Sequence, residues 1–480
     1  MTVKPEAAGD MSAEEFRRYG HMVVDRIARY LEEVERSPVL SRAAPGEIRA
    51  SLPKAAPRAG EGMDDILADF ETKILPGITH WNHPGFMAYF AITGSGPGIL
   101  GEMLTAGLNV NGMLWRGSPA ATELEEVTLD WLRQLMGLPD PLFGEITDTA
   151  SSSTLYALAA AREFAAIDPP EIGTAARPLR VYASSEAHSS VDKAVMTLGL
   201  GAGGIRHIPV DDFFRMRADL LATAIAEDRA AGARPIAVVG TVGTTGTTAI
   251  DPIPEIADIC ERERLWLHVD ASYAGIAAIV PEKRHVLAGV ERAHSLVVNP
   301  HKWLFVPIDC SVLYTREPDA LKAAFSSPLE ILRTPEPGVT NLMDYGMSLG
   351  RRFRALKLWF VLRYFGEDGL AARLREHMRL AQIVARWAEQ SAAFELCAPV
   401  EFSTVVFRYS PPGAEPEAAN AANAANAKLL RLVNESGEVF LSGTKIRGIQ
   451  VLRLTIGNLR TTEQHVLRAL ELLERTAEDL

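Results

Sequence analysis

The sequence predicts an α/β fold, in which a large, mostly parallel sheet wrapped by helices is followed by a smaller α+β unit. The large sheet is predicted by apolar runs at 179–182, 236–239, 265–269 and 295–298, which read as buried strands and are separated by helical patterns such as 253–264. Continuous apolar strands spaced by helices are the signature of a parallel sheet covered on both faces. The smaller unit is predicted by a change of rhythm beyond about residue 355. There, 356–364 and 370–390 read as helices, 404–408 and 451–456 as strands, and 462–473 as a closing helix.

At the other end, Ser12 and Glu15 have capping-box spacing, and Phe16, Val23, Ile27, Tyr30, Leu31 and Val34 recur near the helical period. Residues 12–35 therefore read as an amphipathic helix. Its apolar stripe needs a partner, and Pro38, Pro45, Pro53 and Pro57 mark the following stretch as an extended linker. Another subunit is the expected partner. The Ala/Asn run at 418–427 reads as a solvated helix start or a surface insertion. The expected division is an N-terminal helical arm and linker over 1–90, a large domain over 91–354 and a small domain over 355–480.

With 480 residues, 47% of them hydrophobic and 23% charged, the chain can bury a large core. A formal net charge of -12 argues against a nucleic-acid partner, which would need clustered Lys and Arg. Cys260, Cys310 and Cys397 show no metal or disulfide spacing, so no metal site is expected and a reducing cytoplasm is the expected compartment. The first residues have no apolar run of signal-peptide type, and no stretch is long enough to span a membrane.

Gly199 to Gly204 spell GxGxxG, but they end a helical stretch and lead into the strand-like 205–210, the reverse of a dinucleotide site. They read as a helix C-cap and turn. Four other places stand at strand-to-loop junctions, where open parallel sheets present ligand-binding groups. In Asp148-Thr-Ala-Ser-Ser-Ser-Thr, small hydroxyl residues open a helix and can cup a phosphate, although serine-rich caps are commonplace. Asp270 ends an apolar run and could be a simple cap or the partner of a cationic ring nitrogen. His188 could be a polar loop histidine or a ring-stacking group. Lys302, in Asn299-Pro-His-Lys-Trp and followed by Leu304 and Phe305, reads as a partly buried lysine. Burial favours the neutral amine that Schiff-base chemistry requires.

Together these residues resemble a known family. His188-Ser-Ser-Val-Asp, Thr244-Thr245, His268-Val-Asp-Ala-Ser-Tyr-Ala-Gly, Asn299-Pro-His-Lys-Trp and Leu349-Gly-Arg-Arg-Phe-Arg resemble group II pyridoxal 5'-phosphate (PLP) dependent decarboxylases, the aromatic L-amino acid decarboxylase family. His80-Trp81, Ala88-Tyr-Phe90, Ser118-Pro119, Thr122-Glu-Leu-Glu125 and Val451-Leu-Arg-Leu extend the likeness over almost the whole chain. The resemblance implies a PLP fold type I (aspartate aminotransferase-like) homodimer, with a seven-stranded sheet and an active site at the dimer interface. It implies Lys302 as the covalent cofactor lysine, Asp270 as the pyridine-nitrogen partner and His188 as the stacking group, these three being catalytic. Thr149, Ala150, Ser151, Asn299 and His301 are implied as phosphate contacts, with Thr245 and Ser272 flanking the ring. Trp81, Tyr89 and Phe90 resemble substrate-pocket residues, Asn111 and Met113 are expected to reach over from the other subunit, and Gly350 leaves room for a large ring.

The implied reaction is decarboxylation of an L-amino acid, aromatic in type (Phe, Tyr, Trp or dopa), to CO2 and an amine. One departure bears on the outcome. Where relatives carry a loop tyrosine that returns the proton to Cα, this chain has Ile331, in Glu330-Ile-Leu-Arg333. Ile331 has no proton to give, and family members without the tyrosine can instead consume O2 and yield an aldehyde, ammonia and hydrogen peroxide. A catalytically idle PLP-binding protein is the third alternative, disfavoured by the intact Lys302, Asp270 and His188 set.

Overall fold

Helix Ala13–Glu33 begins just inside the described chain, which the computed structural model covers over residues 10–90, 92–166, 177–326, 336–412 and 419–480. Its capping box forms as the spacing predicts. The Ser12 hydroxyl accepts the Glu15 N–H at 3.2 Å, and the Glu15 carboxylate accepts the Ser12 N–H at 3.0 Å. No residue of this helix is buried within one chain, and Phe16 remains 67% exposed. After the proline-marked stretch comes β1 (Phe86–Met87), which joins the smaller of two sheets.

The larger sheet has seven strands: β2 (Phe143–Thr147), β3 (Leu179–Ser184), β4 (Ile205–Ile208), β5 (Arg234–Thr241), β6 (Trp266–Asp270), β7 (Ser295–Val298) and β8 (Ser311–Thr315). Their order is β2-β8-β7-β6-β5-β3-β4. β8 is antiparallel to both β2 and β7, and the other pairings are parallel. Two reversals make β2 run with β7, so the parallel strands bring their C-terminal ends to one edge. This is the mostly parallel seven-stranded α/β sheet expected of fold type I.

Burial on both faces explains the apolar runs. All five residues of β6 are buried. Alternate residues face opposite sides: Leu267 and Val269 join a cluster with Ile256, Ala257 and Cys260 of helix Ile253–Glu263. Trp266, on the other face, packs with Tyr156, Ala157, Ala160 and Ala161 of helix Ala150–Ala166. Gly199 and Gly201 take positive φ between helix Ser190–Thr197 and β4, as a C-cap and turn require. The strand expected over 205–210 stops at Ile208, because Pro209 has no N–H for the ladder.

The smaller sheet adds β9 (Phe394–Leu396), β10 (Thr404–Tyr409), β11 (Phe440–Ile446) and β12 (Ile449–Thr455) to β1, in the order β1-β11-β12-β10-β9. Helices Ala419–Glu435 and Glu463–Glu478 cover it. The two helices expected over 356–364 and 370–390 form one run, Ala355–Gln390, broken at Gly366 with φ 62°. Leu358, Val361, Leu370 and Leu374 belong to the core of the large sheet, whereas Leu380, Val384 and Ala388 pack under the small one. Packing thus divides within this helix, beyond the expected boundary at 354/355. Among the described residues no helix is long and apolar enough to cross a membrane.

Candidate active site

One edge of the large sheet gathers the predicted residues. β2 leads into Thr149, Ala150 and Ser151; β3 into His188; β5 into Thr245; β6 ends on Asp270 and leads to Ser272; β7 leads to Asn299, His301 and Lys302. Residues spread over 154 positions of sequence meet because each follows a strand of the same direction.

Lys302 is enclosed at this edge. Its Nζ donates to Ser272 Oγ at 3.0 Å and lies 5.1 Å from the centre of the Phe90 ring. Burial lowers the amine from the usual lysine value, and the Asp270 carboxylate partly opposes that shift. The result is an amine nearer to its nucleophilic form. Asp270 is 5% exposed, and its Oδ1 accepts the Ser272 N–H at 3.0 Å, which fixes the carboxylate beside the lysine's partner.

His188 lies on the exposed side of the edge, and its Nδ1 accepts the Ser190 N–H at 3.1 Å. The proton of the neutral ring is therefore on Nε2. Partial burial lowers the imidazole below its ordinary value, with Asp270 opposing and Lys302 and Lys193 reinforcing the shift.

Phosphate-type donors converge at the same edge. Helix Ala150–Ala166 begins here, and its first-turn N–H groups have no acceptor within the helix. Thr149 N–H is already taken by the Asp148 carboxylate at 2.6 Å, so the free donors start at Ala150. His301 Nδ1 accepts the Cys310 N–H at 2.9 Å, and burial pushes this imidazole down to about 4, leaving it neutral with its proton on Nε2. That nitrogen faces Asn299 Nδ2 at 3.4 Å, while Asn299 Oδ1 is buried without a partner. Two donors facing each other beside an orphaned oxygen make sense either with the amide turned over or with an acceptor between them. Thr245 is exposed on its loop, where the buried Thr244 hydroxyl binds the Thr247 hydroxyl at 3.1 Å and accepts the Ala249 N–H at 3.0 Å.

Of the expected pocket residues, Phe90 reaches Lys302 and stacks on Tyr273 at 3.9 Å between ring centres. Tyr273 stacks in turn on Trp303 at 5.0 Å. Trp81 and Tyr89 stack on each other at 5.8 Å and are 36% and 49% exposed, an aromatic shelf next to Phe90 in the chain. Asn111, Met113 and Gly350 form a separate group: Asn111 Oδ1 accepts the Arg351 N–H at 2.9 Å, and Asn111 Nδ2 lies 3.5 Å from Met113 Sδ. No hydrogen bond joins that group to Lys302, Asp270 or His188 among the described residues. Ile331 lies outside the described residues.

One group at the site had no role in the sequence reading. Arg453 of β12 is 4% exposed, donates to the Gly246 carbonyl at 3.0 Å and to Ser442 Oγ at 3.1 Å, and lies 5.2 Å from the Phe90 ring. Burial without a carboxylate partner pulls its guanidinium down to about 10. It braces the Thr245 loop against the small sheet. Its signal in sequence was an arginine within the apolar run Val451-Leu-Arg-Leu.

An enclosed amine, a fixed carboxylate, an imidazole and a cluster of anion donors on one edge fit a phosphorylated pyridine aldehyde. The pyridoxal-dependent decarboxylase conserved domain matches residues 45–410. The chain belongs to the pyridoxal-dependent decarboxylases. This decarboxylase is 38% identical over 483 residues to an aromatic-L-amino-acid decarboxylase of Catharanthus roseus, covering 98% of this chain and 95% of that one. It is 39% identical over 478 residues to a phenylacetaldehyde synthase of Arabidopsis thaliana, covering 97% and 96%. Its fold is similar to that of Oryza sativa TDC solved with PLP and tryptamine, with a TM-score of 0.95, 35% identity and coverage of 100% and 99%. It is a group II PLP-dependent amino acid decarboxylase, hence a carboxy-lyase, and its cofactor is pyridoxal 5'-phosphate.

Proposed function

We propose that this decarboxylase acts on an aromatic L-amino acid of the phenylalanine, tyrosine, tryptophan or dopa type and releases CO2 and the amine. The observation that carries the reading is the Phe90 ring 5.1 Å from Lys302 Nζ, continuous in sequence with the Trp81 and Tyr89 shelf. An apolar aromatic surface beside the reacting amine suits an aromatic side chain. The aromatic-L-amino-acid decarboxylase relative supports the same class.

When bound, PLP supplies the electron sink for the pair left on Cα as CO2 departs. The chain's own groups do the rest. Lys302, made more nucleophilic by burial and oriented by Ser272 Oγ, is the residue that would hold the cofactor covalently. Asp270, held by the Ser272 N–H, would bind the ring nitrogen. His188 would offer its apolar ring face for stacking through a neutral imidazole, and Lys302 Nζ, once released and protonated as an ammonium, is the group that could return a proton to Cα. Ala150, Ser151, Asn299 and His301 would hold the phosphate. The exposed stripe of helix Ala13–Glu33, together with Leu100, Leu104 and Leu108, which are 53%, 51% and 59% exposed, supports a homodimer in which Asn111 and Met113 complete the partner's pocket. The cytoplasm is the proposed compartment.

A second reading is favoured by Ile331 and by the phenylacetaldehyde synthase relative: decarboxylation coupled to O2 consumption, yielding aldehyde, ammonia and peroxide. Incubating the purified holoenzyme with Phe, Tyr, Trp and L-dopa while measuring CO2, amine, aldehyde and peroxide separates the readings. CO2 matched by amine supports the first, stoichiometric peroxide without amine the second, and no CO2 from any of the four refutes both.

A further inference from the structure

Beneath Asp270 lies a buried relay that the reaction described above does not use. Trp266, His268 and Asp270 alternate onto the same face of β6, and His268 pairs in register with Ser295 of β7. Trp266 Nε1–H donates to Ser295 Oγ at 2.8 Å, and Ser295 Oγ lies 2.8 Å from His268 Nδ1. An indole N–H can only donate, so the serine oxygen accepts there. Among the described residues His268 Nδ1 is the one acceptor within reach of the serine hydroxyl proton. Nδ1 is thereby an acceptor, and the neutral ring carries its proton on Nε2.

That Nε2 is buried and has no hydrogen-bond partner. An unmet donor in a fully buried histidine is costly unless something receives it. Two residues on along the same face, about 6.6 Å away at the Cα level, stands the Asp270 carboxylate. Burial pushes the imidazole down to about 4, against the pull of Asp270. It stays neutral near pH 7 and keeps its one outward donor. The Asp270 carboxylate has about four acceptor directions, of which the Ser272 N–H occupies one.

We propose that His268 is a positioning residue for Asp270: the Trp266-Ser295 chain fixes its tautomer so that Nε2–H, the donor left without a partner, is free to take the carboxylate and orient it toward the ring nitrogen of the cofactor. A neutral donor serves better than a cation here, because a charged histidine would compete with the pyridine nitrogen for the same carboxylate. The inference rests on the assignment of Asp270 to that nitrogen.

The test compares His268→Leu, His268→Gln, Ser295→Ala and Asp270→Ala with the parent holoenzyme, reading the PLP dissociation constant, the pH titration of the bound-cofactor absorption band and the kcat and KM for substrate. His268→Leu is expected to weaken PLP binding by about tenfold or more, the scale of one hydrogen bond to a charged group. It should also shift the absorption titration and lower kcat more than it raises KM. His268→Gln, which keeps a donor at the Nε2 position, should restore most of the affinity. Ser295→Ala, a small change in a buried site, should fall between. Parent-like PLP binding and titration in both His268→Leu and Ser295→Ala overturn the inference, as does equal damage from leucine and glutamine, which would indicate packing alone. If Asp270→Ala binds PLP as the parent does, the Asp270 assignment falls and the inference with it.

Discussion

Replacing Glu125 with alanine is expected to destabilise the large domain by about 3–5 kcal/mol, the cost of stranding one partner of a buried ion pair. Glu125 and Arg351 side chains are 4% and 8% exposed and meet at 2.9 Å. Glu125 Oε1 also accepts the Ile146 N–H at 2.8 Å, and Arg351 donates to the Ile146 carbonyl at 2.8 Å, so truncation leaves a guanidinium and a strand N–H unmet. Glu145, 1% exposed, stands beside them, with burial pushing its carboxyl up to about 8 while Arg351 opposes and Glu125 reinforces. A raised folded-state value means that the folded protein prefers the protonated acid. That contribution is intact below about pH 4.5 and is lost as pH rises toward 8. Glu145→Gln should therefore flatten the fall in stability between pH 5 and 8. Urea unfolding of each variant at pH 5, 6, 7 and 8, followed by tryptophan fluorescence, reads both effects. A loss below about 1 kcal/mol for Glu125→Ala at pH 7, or an unchanged pH slope in Glu145→Gln, would refute the reasoning.

Phe90→Ala removes the ring that stacks on Tyr273 at 3.9 Å and lies by Lys302; KM for an aromatic amino acid should rise about tenfold or more, and an unchanged KM would rule out the Phe90 ring as a substrate surface. His188 acts in its neutral form and sits below its ordinary value of 6.5 through burial. The acid limb of kcat/KM should accordingly lie below pH 6.5, and a limb centred at or above it would contradict the assignment.

Much of the large sheet was legible because strands such as β5 and β6 are buried on both faces and read as mainly apolar runs, with His268 the one polar residue between Trp266 and Val269. β2 was not, since Gly144 and Glu145 interrupt its pattern, and the Arg351 charge that acts on Glu145 comes from 206 positions away in sequence. The edge residues were legible as motifs because each follows its own strand. The Phe90-Tyr273-Trp303 stack and the brace from Arg453 join segments distant in sequence, so only the folded chain reveals them. His268 stood in plain view next to Asp270, yet its tautomer depends on the register that sets Ser295 opposite it. The capping boxes at Ser12 and Thr462 are local, and the first was readable from spacing alone.

Borohydride reduction of the holoenzyme, followed by mass spectrometry of its peptides, tests the central claim most directly. A single phosphopyridoxyl addition is expected on the peptide containing Lys302, absent from Lys302→Ala. Addition at another lysine, or an undiminished cofactor absorption band in Lys302→Ala, would contradict it.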